Sequence, residues 1–155
     1  MFREDSKVTI SNNIIKPETI DLWFEEKESP LKGLGAYLLD VCNGLEIDVR
    51  FVLAVIGLES KWGKSKIAQE KRNLFGWGAI DTDPAGGAWR FNTFEGCIAV
   101  ILHKFRKHWI DRGFNTVYKM RDDPKKDYSS AKDAPIITQI MNSIEQFRVE
   151  TEKNQ

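Results

Sequence analysis

Residues 48–63, DVRFVLAVIGLESKWG, form a strongly apolar stretch that decides the fold. Six large apolar side chains fall between Phe51 and Leu58, and on a helix they would point in nearly every direction. Asp48 is a suitable N-cap and Gly63 a suitable stop. A helix that is apolar all round is buried, so we expect this one at the centre of the domain.

Helix signals recur on both sides of this stretch. Each pairs a capping residue or a first-turn proline with apolar residues at spacings of three and four. The expected starts are Pro17, Ser29-Pro30, Ser65, Thr93 and Asp133. The helix from Ser29-Pro30 is expected to end at Asn43-Gly44. The fold class is therefore mainly α.

Residues 73–92, NLFGWGAIDTDPAGGAWRFN, differ from the rest of the chain because glycines and aromatic residues alternate there. Such composition breaks helices and is typical of a functional loop. We expect a short β-hairpin or irregular lobe over a cleft. Phe75, Trp77 and Trp89 are candidates to stack on a ligand, with at least one of them in the core.

Length and composition predict one globular domain. The chain has 155 residues, 41% of them hydrophobic, and 23 basic residues balance 23 acidic ones. That balance argues against a general nucleic-acid binder. We expect a single domain over 1–155 with an ordered core from roughly 15 to 148, and polar, frayed ends at 1–10 and 150–155. Neither a secretory signal nor a membrane span is visible.

The cysteines and histidines do not indicate a metal site. Cys42 and Cys97 lie in apolar helical stretches and are expected to be buried free thiols. They have no metal-binding spacing, and His103 and His108 lie five residues apart on one helix. No metal and no cofactor are expected.

Glu59 is the residue that does not fit a purely structural helix. Val52, Val55 and Ile56 share its helix face, and Trp62 follows one turn later. Such surroundings disfavour the charged carboxylate and raise its pKa, as a general acid requires. The alternative is that Glu59 pairs with a Lys or Arg, or reaches solvent at the helix end.

Two segments around this residue resemble a known family. Residues 59–84, ESKWGKSKIAQEKRNLFGWGAIDTDP, resemble the ESGWG-x-S…NNLFG signature of the family-73 glycoside hydrolases, the glucosaminidase-type autolysins. Residues 117–141, VYKMRDDPKKDYSSAKDAPIITQIM, resemble that family's YKMR…QYATD segment. With the helices that precede Glu59, the resemblance covers roughly residues 15–145.

The resemblance implies a lysozyme-like helical fold and cleavage of the β-1,4 bond after N-acetylglucosamine in peptidoglycan. Glu59 matches the catalytic acid, and Tyr128 matches a cleft tyrosine. Trp62, Asn73, Phe75 and Gly76 match the signature and are expected, with Trp77 and Trp89, to form the substrate-binding set. The chain departs from the family where Lys61 replaces a glycine and where DYSS replaces QYAT.

A second catalytic group remains to be assigned, because some members carry a second glutamate where this chain has Ala88-Trp89-Arg90-Phe91. Asp81 and Asp83 are the nearest candidates for a base, although DTDP is also a good turn sequence. In the alternative, the substrate's own 2-acetamido oxygen attacks the anomeric carbon, and Tyr128 steadies the oxocarbenium or positions the acetamido group.

Two other functions compete with the glucosaminidase. One is a muramidase or lytic transglycosylase on the same scaffold, and the other is a non-catalytic wall-binding or virion module. The expected partner is the peptidoglycan glycan strand, with neither nucleic acid nor membrane insertion, and we expect a monomer. Without a visible signal, delivery by a phage or membership of a larger secreted autolysin is expected.

Overall fold

The computed structural model describes residues 1–78, 84–122 and 131–153, and these are mainly helical. The helices are α1 (Pro17–Glu26), α2 (Gly35–Leu45), α3 (Val49–Ser60), α4 (Lys66–Lys71), α5 (Pro84–Gly87), α6 (Phe94–His108), α7 (Val117–Arg121) and α8 (Ala134–Glu152), with 3-10 turns at Ile110–Arg112 and Ala131–Asp133. In the described ranges, β-structure consists of isolated bridges that join Lys7 to Thr116 and Thr9 to Ile47. The mainly helical class is confirmed, and the described part of residues 73–92 takes the irregular form.

Helix α3 is buried at the centre, as its sequence predicts. The side chains from Val49 to Ile56 are all buried, and Asp48 caps the helix by accepting a hydrogen bond from the Arg50 backbone N–H. Helix α3 packs mainly along α8, and α2 packs between α1 and α6. The buried helix therefore delivers its C-terminal turn, which contains Glu59, to the edge of the core.

Helix α2 begins later than the Ser29-Pro30 signal predicts. The Ser29 hydroxyl donates to the Trp62 carbonyl (2.6 Å) and accepts from the Leu31 N–H (3.0 Å), so it stabilises a turn. The helix starts at Gly35, where an added Cβ would lie 2.5 Å from the Pro17 carbonyl oxygen. Asp21 of α1 also accepts hydrogen bonds from the N–H groups of Gly33 and Gly35 (both 2.9 Å), so this start is marked by a contact with α1 that local sequence does not reveal. The starts at Pro17, Ser65 and Thr93 are confirmed.

The N-terminal segment, expected to fray, is instead docked on the core. Val8 is fully buried, and its N–H and carbonyl bond to Asn115 and Asp48. Its neighbours accept hydrogen bonds from α7, where the Val117 N–H bonds to Ser6 and the Tyr118 N–H bonds to Glu4. The segment thereby ties α7 to the junction between α2 and α3.

Both cysteines are buried and free, as predicted. Burial raises the pKa of the Cys42 thiol, and it raises that of Cys97 to about 12. Thiols that stay protonated at neutral pH are poor nucleophiles, so both act as small core residues.

Within residues 1–78, 84–122 and 131–153, no helix is long and apolar enough to cross a membrane. The ranges also contain no group of three or more His, Cys, Asp or Glu side chains that could hold a metal ion. His103 and His108 are both exposed on α6.

Candidate active site

Glu59 lies in the last turn of α3, where the buried helix reaches the edge of the core. Its side chain is 19% exposed. The chain then turns sharply, because Lys61 and Trp62 both adopt left-handed backbone angles (φ 51° and 55°). The carboxyl group is therefore largely desolvated while one side stays open to solvent.

The Glu59 carboxyl is bound by a buried arginine. Arg121 Nη2 donates to Glu59 Oε1 at 2.7 Å and to Asp133 Oδ2 at 3.3 Å. Only 2% of the Arg121 side chain is exposed. Both sequence interpretations of Glu59 therefore apply together, since the carboxyl is desolvated and also paired with an arginine.

Burial is the largest influence on the Glu59 carboxyl, and it raises its pKa above the ordinary value. The positive charge and hydrogen bond of Arg121 lower that pKa, and the negative charge of Asp133 raises it again. The net effect is upward, so Glu59 retains its proton to a higher pH than an exposed glutamate. A carboxyl of this kind is suited to general acid catalysis.

Gly76 brings the NLFG segment against Glu59. A Cβ built on Gly76 would lie 3.4 Å from Glu59 Oε2, and the residue adopts a positive φ of 65°. Glycine suits both requirements, because it permits left-handed angles and leaves space above the carboxyl. Of the predicted substrate-binding residues, Gly76 is thus placed directly beside the acid.

Asn73 holds this segment in shape from inside. It is 1% exposed. Its Nδ2 donates to the carbonyls of Trp77 and Trp89 (both 2.9 Å), and its Oδ1 accepts from the N–H groups of Phe75 (3.3 Å) and Trp77 (3.1 Å). The side-chain amide is therefore committed to the loop, and it joins the two ends of the glycine-rich segment.

Phe75 is a core residue. Its ring is 0% exposed and packs edge-on against Phe105, with centroids 5.6 Å apart. A ring without exposed surface cannot stack on a sugar in this conformation. It is the core member that was expected among the three aromatic candidates, and it anchors the loop that carries Gly76.

Trp77 and Trp89 form an aromatic cluster beside Lys104. Their rings meet edge-on with centroids 6.1 Å apart, and the Lys104 ammonium lies 5.3 Å from the Trp89 centroid. Trp77 also packs against Trp109 (5.5 Å). Trp89 is 45% exposed, so its ring offers apolar surface next to a cation.

Trp62 is used mainly for packing. Its Nε1 donates to the Leu53 carbonyl (3.1 Å), and its ring meets Trp23 edge-on at 5.7 Å. The ring also lies against Gly57, where an added Cβ would come within 2.3 Å of it. The indole thus secures the turn that follows Glu59, and sugar binding by Trp62 stays a prediction.

Three sequence candidates lie outside the described residues: Asp81, Asp83 and Tyr128. Their roles as base or cleft tyrosine stay predictions.

The sequence reasoning missed Arg121 and misjudged Asp133. Arg121 ends the VYKMR segment that carries the family resemblance, but its partner Glu59 is 62 residues away. Asp133 stands at the predicted N-cap of α8, yet its side chain makes no capping hydrogen bond. Its carboxylate bonds to Arg121 instead, so a good capping residue here serves the site.

Solved structures with the same fold include an autolysin and a glucosaminidase. Staphylococcus aureus autolysin E, solved in complex with the muropeptide NAM-L-Ala-D-iGlu, matches 95% of this chain and 75% of its own with a TM-score of 0.72 and 20% identity. Staphylococcus aureus glucosaminidase B matches 94% of this chain and 66% of its own, with a TM-score of 0.65 and 17% identity. These likenesses confirm the lysozyme-like helical fold.

Sequence relatives carry a matching name. A Streptococcus pneumoniae protein assigned as an endo-beta-N-acetylglucosaminidase is 36% identical over 85 residues, which are 55% of this chain. The chain spans only 13% of the length of that relative.

The family model matches most of the chain. The model named Glucosaminidase, mannosyl-glycoprotein endo-beta-N-acetylglucosaminidase, covers residues 35–154, which include Glu59, the NLFG segment and Arg121. The chain belongs to the glucosaminidase family.

Proposed function

We propose that this domain is an endo-β-N-acetylglucosaminidase that hydrolyses the β-1,4 bond after N-acetylglucosamine in bacterial peptidoglycan. The observation that carries the proposal is the Glu59 carboxyl, which is desolvated at a helix end, raised in pKa and bordered by Gly76 of the NLFG segment. Family membership and the muropeptide bound by autolysin E support the substrate class.

In this proposal Glu59 is the general acid. The protonated carboxyl donates its proton to the glycosidic oxygen as the bond to the anomeric carbon breaks and that carbon gains oxocarbenium character. Arg121 orients the carboxyl through Oε1, and Oε2 lies on the side of Gly76. The second catalytic group is proposed to be a base, Asp81 or Asp83. In the alternative, the substrate's acetamido oxygen takes this role with the help of Tyr128.

Product analysis tests which bond is cut. Purified peptidoglycan is digested, the new reducing ends are reduced with borohydride, and the products are identified by mass spectrometry. We expect N-acetylglucosaminitol ends. Muramitol ends would indicate a muramidase and anhydromuramic ends a lytic transglycosylase, and an undigested wall that retains bound protein would indicate a binding module.

The proposed site of action is the bacterial cell wall. Delivery by a phage, membership of a larger autolysin and the monomeric state are predictions of the sequence alone.

Trp89 is proposed to stack on a sugar ring of the bound strand. Trp89→Ala is expected to raise KM on solubilised glycan strands by about tenfold while kcat changes little, because a ring–sugar contact of this size is worth roughly 1–1.5 kcal/mol. Steady-state kinetics on strands of defined length measures the change.

Two companion variants separate stacking from general loss of apolar surface. Trp89→Phe keeps a ring and is expected to retain most of the affinity. Ile136 on α8 is 44% exposed, close to the exposure of Trp89, so Ile136→Ala serves as a matched control with unchanged KM. Equal KM values for Trp89→Ala and wild type would remove Trp89 from the binding set.

A further inference from the structure

One nitrogen of a buried arginine joins two carboxylates that lie far apart in sequence. Arg121 Nη2 contacts Glu59 Oε1 at 2.7 Å and Asp133 Oδ2 at 3.3 Å. Glu59 belongs to α3, Arg121 ends α7, and Asp133 directly precedes α8. The cluster therefore exists only when three separate elements are packed together.

The position of Arg121 is fixed independently of Glu59. Thr116 caps α7 by accepting from the Lys119 N–H, and Val117 and Met120 are buried in the core. On the opposite side, residues 4–6 accept backbone hydrogen bonds from α7. These N-terminal residues lie outside the range 35–154 that the family model matches. Contacts on two sides of α7 therefore hold Arg121 at this position.

The charges of Glu59, Arg121 and Asp133 do not balance. Among the described residues, these two carboxylates face one guanidinium, which leaves one negative charge in excess, and burial disfavours a net charge. A single added proton makes the cluster neutral. Glu59 is the more enclosed of the two carboxyls, with 19% of its side chain exposed against 26% for Asp133. Asp133 can keep the ion pair with Arg121 while Glu59 binds the proton.

We propose that Arg121 and Asp133 are positioning residues for Glu59: Arg121 fixes the carboxyl in place, and Asp133 shares the guanidinium so that Glu59 can carry a proton. The inference rests on the proposed role of Glu59 as the acid. Arg121 without Asp133 would bind Glu59 as a carboxylate and oppose proton donation. Asp133 without Arg121 would leave the carboxyl protonated but not oriented.

The two partners should move the Glu59 titration in opposite directions. Of the described residues, the charged groups that act on Glu59 are Arg121 from α7 and Asp133 from the start of α8, while the NLFG segment presents the uncharged Gly76. Asp133→Asn removes a negative charge, so the Glu59 pKa should fall. Arg121→Gln removes a positive charge, so that pKa should rise.

The titration is followed without any substrate. Carboxyl signals of the full chain labelled with ¹³C-glutamate are recorded by NMR against pH, and Glu59 is assigned by the signal that Glu59→Gln lacks. Asp111 is a carboxylate that pairs with Arg106 instead, so Asp111→Asn is the matched control and should leave the Glu59 midpoint unchanged.

Kinetics on peptidoglycan provides the second readout. Asp133→Asn should move the alkaline limb of the kcat profile to lower pH, in step with the NMR midpoint. Arg121→Lys keeps the charge but not the planar fork of donors. The Glu59 midpoint, which Arg121→Gln raises, should therefore return to its wild-type value in Arg121→Lys. Its kcat should stay about 10–100-fold below wild type, with little change in KM. A residue with a merely structural role would lower activity and leave the midpoint in place.

The outcomes separate this inference from the proposed function. If Asp133→Asn and Arg121→Gln shift the Glu59 midpoint in opposite directions but the wild-type protein does not cleave peptidoglycan, the positioning roles would be supported and the proposed function overturned. Cleavage by wild type, combined with a Glu59 midpoint that Asp133→Asn leaves unmoved, would overturn the inference. Because Asp133 is partly exposed, its Asn variant remains informative even if Arg121→Gln does not fold.

Discussion

Replacing Glu59 with Gln is expected to lower kcat on purified peptidoglycan by about 10²–10⁴-fold, the usual contribution of a positioned general acid. Gln keeps the size of the side chain and an oxygen that can accept from Arg121 Nη2, but it has no proton to donate at any pH. The residual rate should therefore lose the alkaline limb that reports the Glu59 pKa in wild type. The release of new reducing ends, measured from pH 4 to 9, checks both statements.

The same substitution should not weaken the fold at neutral pH. The pKa of Glu59 is raised in the folded protein, so the folded state binds more protons than the unfolded state between the two pKa values. The free energy of unfolding then falls as pH rises through that window. Glu59→Gln removes this dependence, and its thermal midpoint should equal or exceed that of wild type above the window.

A matched control isolates the acid from general effects of lost charge. Glu70 on α4 is exposed and pairs only loosely with Lys66 at 4.0 Å, so Glu70→Gln should leave both kcat and the thermal midpoint unchanged. If Glu59→Gln were to retain wild-type turnover while folded, Glu59 would not be the acid.

The central helix and its glutamate could be predicted because the signals are local. Apolar residues from Phe51 to Leu58 require burial wherever the chain folds, and the apolar face that Glu59 shares predicts a desolvated carboxyl. The caps Asp48, Ser65 and Thr93 act within three residues of their own helix starts, so each could also be identified from sequence.

The contacts that complete the site were not predictable, because they depend on packing between distant elements. Arg121 reaches Glu59 only when α7 packs against the end of α3, and α7 also bonds to the N-terminal segment, which was expected to fray. Asp133 satisfies the pattern of a helix cap, and nothing local indicates that its carboxylate turns to Arg121.

Aromatic residues in the glycine-rich stretch 73–92 show a different limit. A phenylalanine or tryptophan serves equally well in a core and on a sugar platform, so sequence gives the set without the assignment. Burial assigns Phe75 to the core, where it is enclosed against Phe105. Trp89 keeps nearly half of its surface exposed, and its contact with a sugar stays a prediction.

Asn73→Ala is the second substitution with a large expected effect, and it acts on both stability and turnover. The change removes four hydrogen bonds to the backbone and leaves buried or partly buried backbone groups of Phe75, Trp77 and Trp89 without this partner. At roughly 1 kcal/mol for each bond, the free energy of unfolding should fall by about 2–4 kcal/mol. Because Gly76 lies inside the loop that Asn73 shapes, kcat should also fall by more than about tenfold in the folded variant.

Asn13→Ala distinguishes a shaped loop from mere loss of stability. Asn13 is also a buried amide, and it bonds to Asn43, the Ile47 carbonyl and the Val49 N–H at the junction of α2 and α3. Its removal should lower the free energy of unfolding by a similar amount, measured by urea denaturation, while kcat at 25 °C stays near wild type. The pair is decisive because the chemistry removed is the same and only the location differs. If both variants lost turnover in proportion to stability, Asn73 would be an ordinary core amide. A loss of kcat confined to Asn73→Ala would instead mean that its amide shapes the loop that places Gly76 beside Glu59.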